Sequence, residues 1–329
     1  MNNIEVVGLG ALNIDYLYQV ERILEDGETV VSEAKSSPGG SAANTIYGLA
    51  KLGMKTGFIG VVGDDAEGKI LLQDFQKVGV DTSQIRVKPG SKTGSVLCLS
   101  DRQGKRSLYV LPGANNLLTM DDLDLTYINQ AGMLHLSSFA DDRQFKISLE
   151  LMNRLELSTK LSSTPGAIYA QKELKTLAPI LNKTHILFVN QDEIRQMTGE
   201  DITAGAQTCL EQGCYIVVVT LGKGVNLEPD EKVNQKLAVA ICFIKGTEYT
   251  YIIEPLRQET VSEPETTGAG DAFATGFLYG LLNGKGLTEC GVLGDIVAQF
   301  SIAEIGARKG LPTRNALLQR YRELYNKEL

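Results

Sequence analysis

The chain has 329 residues, 43% hydrophobic and 22% charged, which is the balance of a globular protein with one large core or about two smaller ones. A net charge of -8 and a pI near 5.0 exclude a broad basic surface for nucleic acid, because no surplus of lysine and arginine exists to replace phosphate counterions. Residues 1–10 lack a basic segment leading into a long apolar one, and the apolar stretch 292–305 is broken by Asp295, Gln299 and Glu304, so no signal peptide and no membrane span are expected and the compartment reads as cytoplasmic.

Residues 4–7 begin the chain as a short strand of mostly β-branched residues. Asn13 and Asp15 follow it, two apart, so both face the same way if the backbone stays extended. Residues 12–37 alternate in character around a Glu25-Asp26-Gly27 turn. Next comes Pro38-Gly39-Gly40-Ser41-Ala42-Ala43-Asn44, a glycine-rich turn opening an amphipathic helix over 42–52. With an amide and no acid in its first turn, it suits a neutral polyhydroxyl ligand, which Gly39 and Gly40 would let approach closely while Asn44 donates and accepts. A tight strand-to-helix connection without ligand fits the same residues. Asn13 and Asp15 could join them in holding vicinal hydroxyls, or serve as turn and cap residues.

A strand over 57–62 and a helix over 68–78 come next. Gly63 to Ile70 has the glycine and lysine spacing of a phosphate-binding loop, but Ile70 stands where a magnesium-binding hydroxyl belongs and three acids fill the loop, so that reading is rejected. Residues 93–111 alternate again, around Arg102-Gln103-Gly104. With 12–37 they read as a small, mostly antiparallel sheet inserted in the α/β core and able to act as a lid, from which Tyr16 and Tyr18 could stack on a flat ligand.

Strands over 133–136, 186–189 and 216–220 alternate with helices over 144–155 and 204–212, the rhythm of a parallel sheet covered on both faces. Asn190 and Glu193 follow the 186–189 strand at the sheet's carboxyl edge, where open α/β folds bind ligands. A carboxylate there could order Mg²⁺ and its waters against a triphosphate; Asn followed three later by Glu is equally the pattern of a helix-capping box. Thr220-Leu221-Gly222-Lys223-Gly224 ends a strand in a loop suited to a nucleotide.

Near the end, Glu265-Thr266-Thr267-Gly268-Ala269-Gly270-Asp271 precedes a helix whose apolar face is marked by Ala272, Phe273, Gly276, Phe277, Gly280 and Leu281. The N–H groups of Gly268, Ala269 and Gly270 have no helical partners and lie at the positive end of the helix dipole, an arrangement that accepts an anion. Asp271 puts a carboxylate beside that anion and suggests a proton acceptor, although a capped helix without ligand shows the same residues. His135 and His185 lie at apolar strands with no metal motif nearby, and five cysteines without zinc spacing read as buried reduced thiols.

Taken in order, the Gly39-Gly40 turn with Asn44, Pro112-Gly113-Ala114-Asn115, Asn190-x-x-Glu193, Val219-Thr220-Leu221-Gly222 and Thr266 to Asp271 resemble the ribokinase-like (PfkB) carbohydrate kinases over essentially the whole chain. The resemblance implies a three-layer α/β/α sandwich with a mostly parallel central sheet, the kinase core being 1–11, 38–92 and 112–329 and the β-sheet lid 12–37 and 93–111. It implies transfer of a phosphoryl group from ATP with Mg²⁺ to a hydroxymethyl group of a small sugar. Asp271 would be the catalytic base and Gly268, Ala269 and Gly270 the anion hole; Asn13, Asp15, Gly39, Gly40 and Asn44 would meet the substrate. Asn190, Thr220 and Gly222 would meet the nucleotide, and Glu193 the magnesium, through water. A nucleoside kinase of the same family is the alternative, and a non-catalytic sugar-binding regulator the third reading; a homodimer through the lid is a further expectation. Three departures stand out. Glu265 replaces the family's usual Asp, which bears on a K⁺ site beside the anion hole; Ser163-Thr164-Pro165-Gly166 replaces an Asp-x-Asn pattern; and Ser137 stands where ribokinase carries a Glu for its sugar.

Overall fold

The structure, a computed structural model, describes residues 4–101, 106–227, 238–254 and 266–329. Among these the strands are β1 (Val6–Leu9), β2 (Asn13–Val20), β3 (Val31–Gly39), β4 (Thr56–Gly63), β5 (Ile85–Lys88), β6 (Gly94–Asp101), β7 (Arg106–Leu111), β8 (Met133–Ser137), β9 (Lys160–Thr164), β10 (Thr184–Asn190), β11 (Ile216–Leu227), β12 (Ala238–Gly246) and β13 (Thr250–Ile253). The larger sheet has the order β13-β12-β11-β10-β9-β8-β1-β4-β5 and the smaller one β3-β2-β6-β7. From β5 to β11 every pairing in the larger sheet is parallel, and only β12 and β13 run against their neighbours.

The parallel strands are buried on both faces, which is why they read as apolar runs rather than alternating ones. Val6, Phe58, Phe188 and Val218 point into one core with the helices Ser41–Lys51, Ala66–Lys77, Ala269–Leu282, Leu287–Ile302 and Arg314–Tyr325. Their neighbours Val7, Ile59, Leu187 and Val217 point into the other, with Asp142–Arg154, Leu174–Leu181, Gln191–Thr198 and Ile202–Glu211. Helices on both faces of one sheet make the expected three-layer α/β/α sandwich. The helix Ala269–Leu282 differs from its expected single apolar face: every residue from Ala272 to Gly280 is buried. Its small residues allow this, since a Cβ on Gly276 would come within 2.2 Å of the Leu293 carbonyl oxygen of the neighbouring helix.

The expected strands appear as β1, β4, β8, β10 and β11, each shifted or lengthened by a few residues, whereas β9 fills the place between β8 and β10, and β5, β12 and β13 extend the sheet at its edges. β11 does not stop at Thr220. It continues to Leu227 through a register shift between Thr220 and Val225, which the positive φ angles of Gly222 (57°) and Gly224 (97°) accommodate.

In the smaller sheet β2 pairs antiparallel with β3 and parallel with β6, which pairs antiparallel with β7. The Arg102-Gln103-Gly104 turn lies outside the described residues. Strand alternation puts Asn13 and Asp15 on one face of β2 and Tyr16 and Tyr18 on the other. The Tyr16 hydroxyl donates to Glu67 at 3.3 Å and neither tyrosine lines the cavity with Asn13 and Asp15, so the inward orientation that stacking on a base would need is not met. His135 is fully buried against Ser162 at 3.0 Å, and burial pushes its pKa down to about 4, which makes it a neutral part of the core. All five cysteines are buried, as expected of reduced thiols, and none forms a disulfide among the described residues. Among the described residues no helix is long and apolar enough to cross a membrane.

Candidate active site

Asp271 lies in the first turn of Ala269–Leu282, and two side chains from the start of Ser41–Lys51 hold it: Ser41 Oγ donates to Oδ1 at 2.7 Å and Asn44 Nδ2 to Oδ2 at 2.9 Å. The contact spans more than two hundred residues of sequence. Burial pushes the Asp271 pKa up to about 6, against the lowering effect of Asn44, Ser41 and the Arg308 cation. The carboxylate therefore remains charged at neutral pH yet near the range in which a base takes a proton.

The turn before it is shaped by Gly268, whose φ of 77° is left-handed and whose missing Cβ would otherwise lie 2.4 Å from that of Ala307. One expected donor is occupied: the Ala269 N–H closes a turn onto the Thr266 carbonyl at 3.2 Å. Gly270 is exposed, with open space where a side chain would stand, so a ligand can reach the backbone there. Above the turn, Arg106 of β7 donates to Thr267 Oγ1 at 2.9 Å, which ties the small sheet to the helix start. Glu265, on which the expectation about K⁺ rested, lies outside the described residues.

Asn13, Asp15, Gly40, Ser41, Asn44, Gly268 and Asp271 all line one cavity of about 260 Å³. Asp15 packs against Gly39, where a Cβ would sit 2.1 Å from its Oδ2; only glycine leaves room for that carboxylate. Gly40 is likewise required, having a φ of 102° and the Ala11 carbonyl oxygen 2.1 Å from its absent Cβ. Burial, with a smaller contribution from Asp271, pushes the Asp15 pKa up to about 7 although Arg308 opposes it. Asn13 is fixed by Asn115, whose Nδ2 donates to Asn13 Oδ1 at 3.0 Å while its Oδ1 accepts the Leu12 N–H at 2.9 Å. The rest of the lining is largely aliphatic, with Val96, Leu108 and Val110 from the small sheet joined by Ile168 and Ala140.

Asn190 and Glu193 form the capping box: Asn190 Oδ1 accepts the Glu193 N–H at 2.8 Å, and Glu193 Oε2 accepts the Asn190 N–H at 3.0 Å. Glu193 also lies within electrostatic range of Asp271, and burial followed by that charge raises its pKa. Thr220 pairs with Asn190 across β10 and β11, and its hydroxyl meets the Val189 carbonyl at 3.5 Å. Gly222 is exposed just beyond it. These four positions form a patch on the carboxyl edge of the sheet, outside the cavity that holds Asp15.

The site also uses residues to which the sequence reading gave no role. Ser41 and Asn115 sit inside motifs already recognised by their glycines. Ser137, at the end of β8, accepts the Ala42 N–H at 3.1 Å and so braces the Gly39-Gly40 turn. Arg308 is buried, and no local pattern in 303–310 marks it.

A family model described as pfkB family carbohydrate kinase matches residues 2–226 and 229–314. The chain belongs to the pfkB family of carbohydrate kinases. Among curated relatives of this pfkB member, an uncharacterized sugar kinase of Archaeoglobus fulgidus is 36% identical over 266 residues, 80% of this chain and 98% of that protein. Two solved structures share the fold. Adenosine kinase of Sinorhizobium meliloti has a TM-score of 0.81 at 22% identity, covering 98% of this chain and 99% of that one. Ribokinase of Thermotoga maritima has a TM-score of 0.79 at 23% identity, covering 97% and 99%. This pfkB member is a carbohydrate or nucleoside kinase, a phosphotransferase with an alcohol group as acceptor, built as a ribokinase-like sandwich with a β-sheet lid.

Proposed function

We propose that the protein transfers the γ-phosphoryl group of ATP to a hydroxymethyl group of a small sugar or sugar derivative, with Asp271 as the base. The observation that carries this reading is the position of Asp271: it stands between a cavity lined by Asn13, Asp15 and Asn44, suited to hydroxyl groups, and a glycine-rich helix start suited to an anion. Asp271 takes the acceptor proton as the hydroxyl oxygen bonds to phosphorus and the bond to ADP breaks. The N–H groups at Gly268 and Gly270, together with the helix dipole, stabilise the transferring oxygens. Asn190, Thr220 and Gly222 lie with the nucleotide. A screen of sugars and nucleosides with MgATP, read by ADP release and thermal shift, tests the reading; no turnover on any acceptor would favour a binding protein without catalysis.

A second reading, a nucleoside as acceptor, has its own support. The aliphatic wall of Val96, Leu108, Val110 and Ile168 would leave the hydroxyls of a free sugar without partners but would accept a flat base. In the same screen, turnover of nucleosides with none of sugars would select it.

Among the described residues no cluster of three His, Cys, Asp or Glu side chains could cage a metal, which suits Mg²⁺, an ion that keeps most of its waters and takes few protein ligands. Glu193 fits a water-mediated role, because one of its oxygens holds the helix cap and the carboxylate lies near Asp271. When bound, Mg²⁺ would neutralise the triphosphate. Glutamine at 193 preserves the capping bond and removes the charge, so Glu193→Gln is expected to lower turnover and raise the Mg²⁺ concentration required. Rates across a Mg²⁺ titration check this; wild-type behaviour at limiting Mg²⁺ would reduce Glu193 to a helix cap.

We also assign segments 12–37 and 93–111 to a lid on the core formed by 1–11, 38–92 and 112–329, and to the interface of a homodimer. On the face away from the cavity, its outer strand β7 exposes Tyr109 (54%) and Leu111 (57%), apolar surface on a strand edge of the kind proteins usually cover. Sedimentation velocity tests the dimer, and a monomer at micromolar concentration would exclude it.

A further inference from the structure

Arg308 is 4% exposed and makes three directed hydrogen bonds, two of them to residues of the site and one to the Ala66–Lys77 helix. Its Nε donates to Asn44 Oδ1 at 2.9 Å, its Nη1 to Asp74 Oδ2 at 2.8 Å and its Nη2 to the Gly39 carbonyl at 3.0 Å. The guanidinium plane is packed between aromatic rings, 5.3 Å from the centre of Tyr47 and 5.0 Å from that of Phe75. Such a group has little freedom to move.

An asparagine side chain is nearly symmetric in shape, so its orientation is chosen by what it meets. Arg308 Nε can only donate, which obliges Asn44 to present Oδ1 to it. The NH₂ end is thereby turned towards Asp271, where it donates to Oδ2 at 2.9 Å. The Gly39 carbonyl belongs to the residue whose bare Cα faces the Asp15 carboxylate. One side chain thus braces both the amide that holds Asp271 and the backbone that accommodates Asp15.

We propose that Arg308 is a positioning residue: it orients the Asn44 amide so that the Asp271 carboxylate is held at a fixed angle between the acceptor cavity and the helix start. The inference rests on Asp271 being the base, as proposed above. Arg308 touches neither reacting group. Besides Asn44 and Ser41 from Ser41–Lys51, the groups acting on Asp271 among the described residues are Asp15 of β2, Glu193 of Gln191–Thr198 and Arg308 itself, so among these residues one cation offsets several acids. Lys51, the nearest alternative cation on that helix, donates instead to the Leu311 carbonyl.

The test is the side-chain amide signal of Asn44 in the ligand-free protein, assigned by its loss in Asn44→Ala. In the wild type one Nδ2 proton, bonded to a carboxylate, should be shifted downfield and protected from exchange. Arg308→Gln is expected to bring the two protons together and to speed their exchange by at least about tenfold, as a freed amide would show. Guanidinium added at non-denaturing concentration should restore the signal in Arg308→Gly. An unchanged Asn44 signal in Arg308→Gln, with only a lower melting temperature, would mean that Arg308 anchors the fold and would overturn the proposal. If Arg308→Gln does not fold, Arg308→Met gives the same reading, because it keeps an apolar stem against Tyr47 and Phe75 and has no donor for Asn44; a wild-type signal there overturns the proposal equally. The readout needs no substrate, so the base assignment fails separately, through an active Asp271→Asn.

Discussion

Asp271→Asn is expected to lower phosphotransfer at least about a hundredfold, the usual scale for loss of a general base, while the protein stays folded. The hydrogen bonds around it permit the exchange. The introduced amide can point its oxygen at Asn44 Nδ2 and its NH₂ at Ser41 Oγ, which as a hydroxyl can accept as well as donate. It also removes a buried charge, so melting should be equal to or above that of the wild type, and ATP should bind at least as tightly beside the helix start. With a pKa raised to about 6, Asp271 in the wild type should give kcat/KM an acid limb near pH 6, falling about tenfold per pH unit below it. Turnover, melting and ATP calorimetry on the pair of proteins check this, and a variant keeping most of its activity would remove Asp271 from the role of base.

The second large effect is expected at Asp15. Losing a charged acceptor from the cavity costs on the order of 2 to 3 kcal/mol, so above pH 7, where Asp15 is ionised, Asp15→Ala should reduce acceptor kcat/KM by about a hundredfold and leave ATP affinity nearly unchanged. Equal loss of both affinities would make Asp15 a support of the fold instead. The same residue should be visible in stability. Its pKa rises from 3.8 to about 7 on folding, so the folded state binds the proton more tightly; the stability this contributes is complete below about pH 4 and is lost as pH rises to about 7. Asp15→Asn should therefore melt above the wild type at pH 7 to 8 by more than at pH 4. A difference between the two proteins that does not vary with pH would contradict the raised pKa.

Much of the site was legible because it is built from local devices. Gly268 and Gly40 have positive φ and no room for a Cβ, so the turns they make had to carry glycine. Asn13 and Asp15 share a face because strand side chains alternate, and the same rule assigns Tyr16 and Tyr18 to the opposite face once the strand is in place. The Asn190 and Glu193 pair was readable as a cap for the same reason, since both partners lie within one helical turn. By contrast β9 carries Ser162 and Ser163 and shows no apolar run, yet it is a central strand because β8 and β10 pair with it on both sides.

By itself, then, the sequence determined the α/β alternation, the two glycine-rich helix starts and the acid that follows one of them, since each is a property of a few adjacent residues and their backbone angles. Tertiary structure alone decided what surrounds that acid. Ser41, Asn44, Asp15 and Arg308 reach Asp271 or its neighbours across more than two hundred residues, and what raises the pKa of both acids is chiefly burial. Burial and long-range partners depend on which elements pack together, and no spacing along the chain records that.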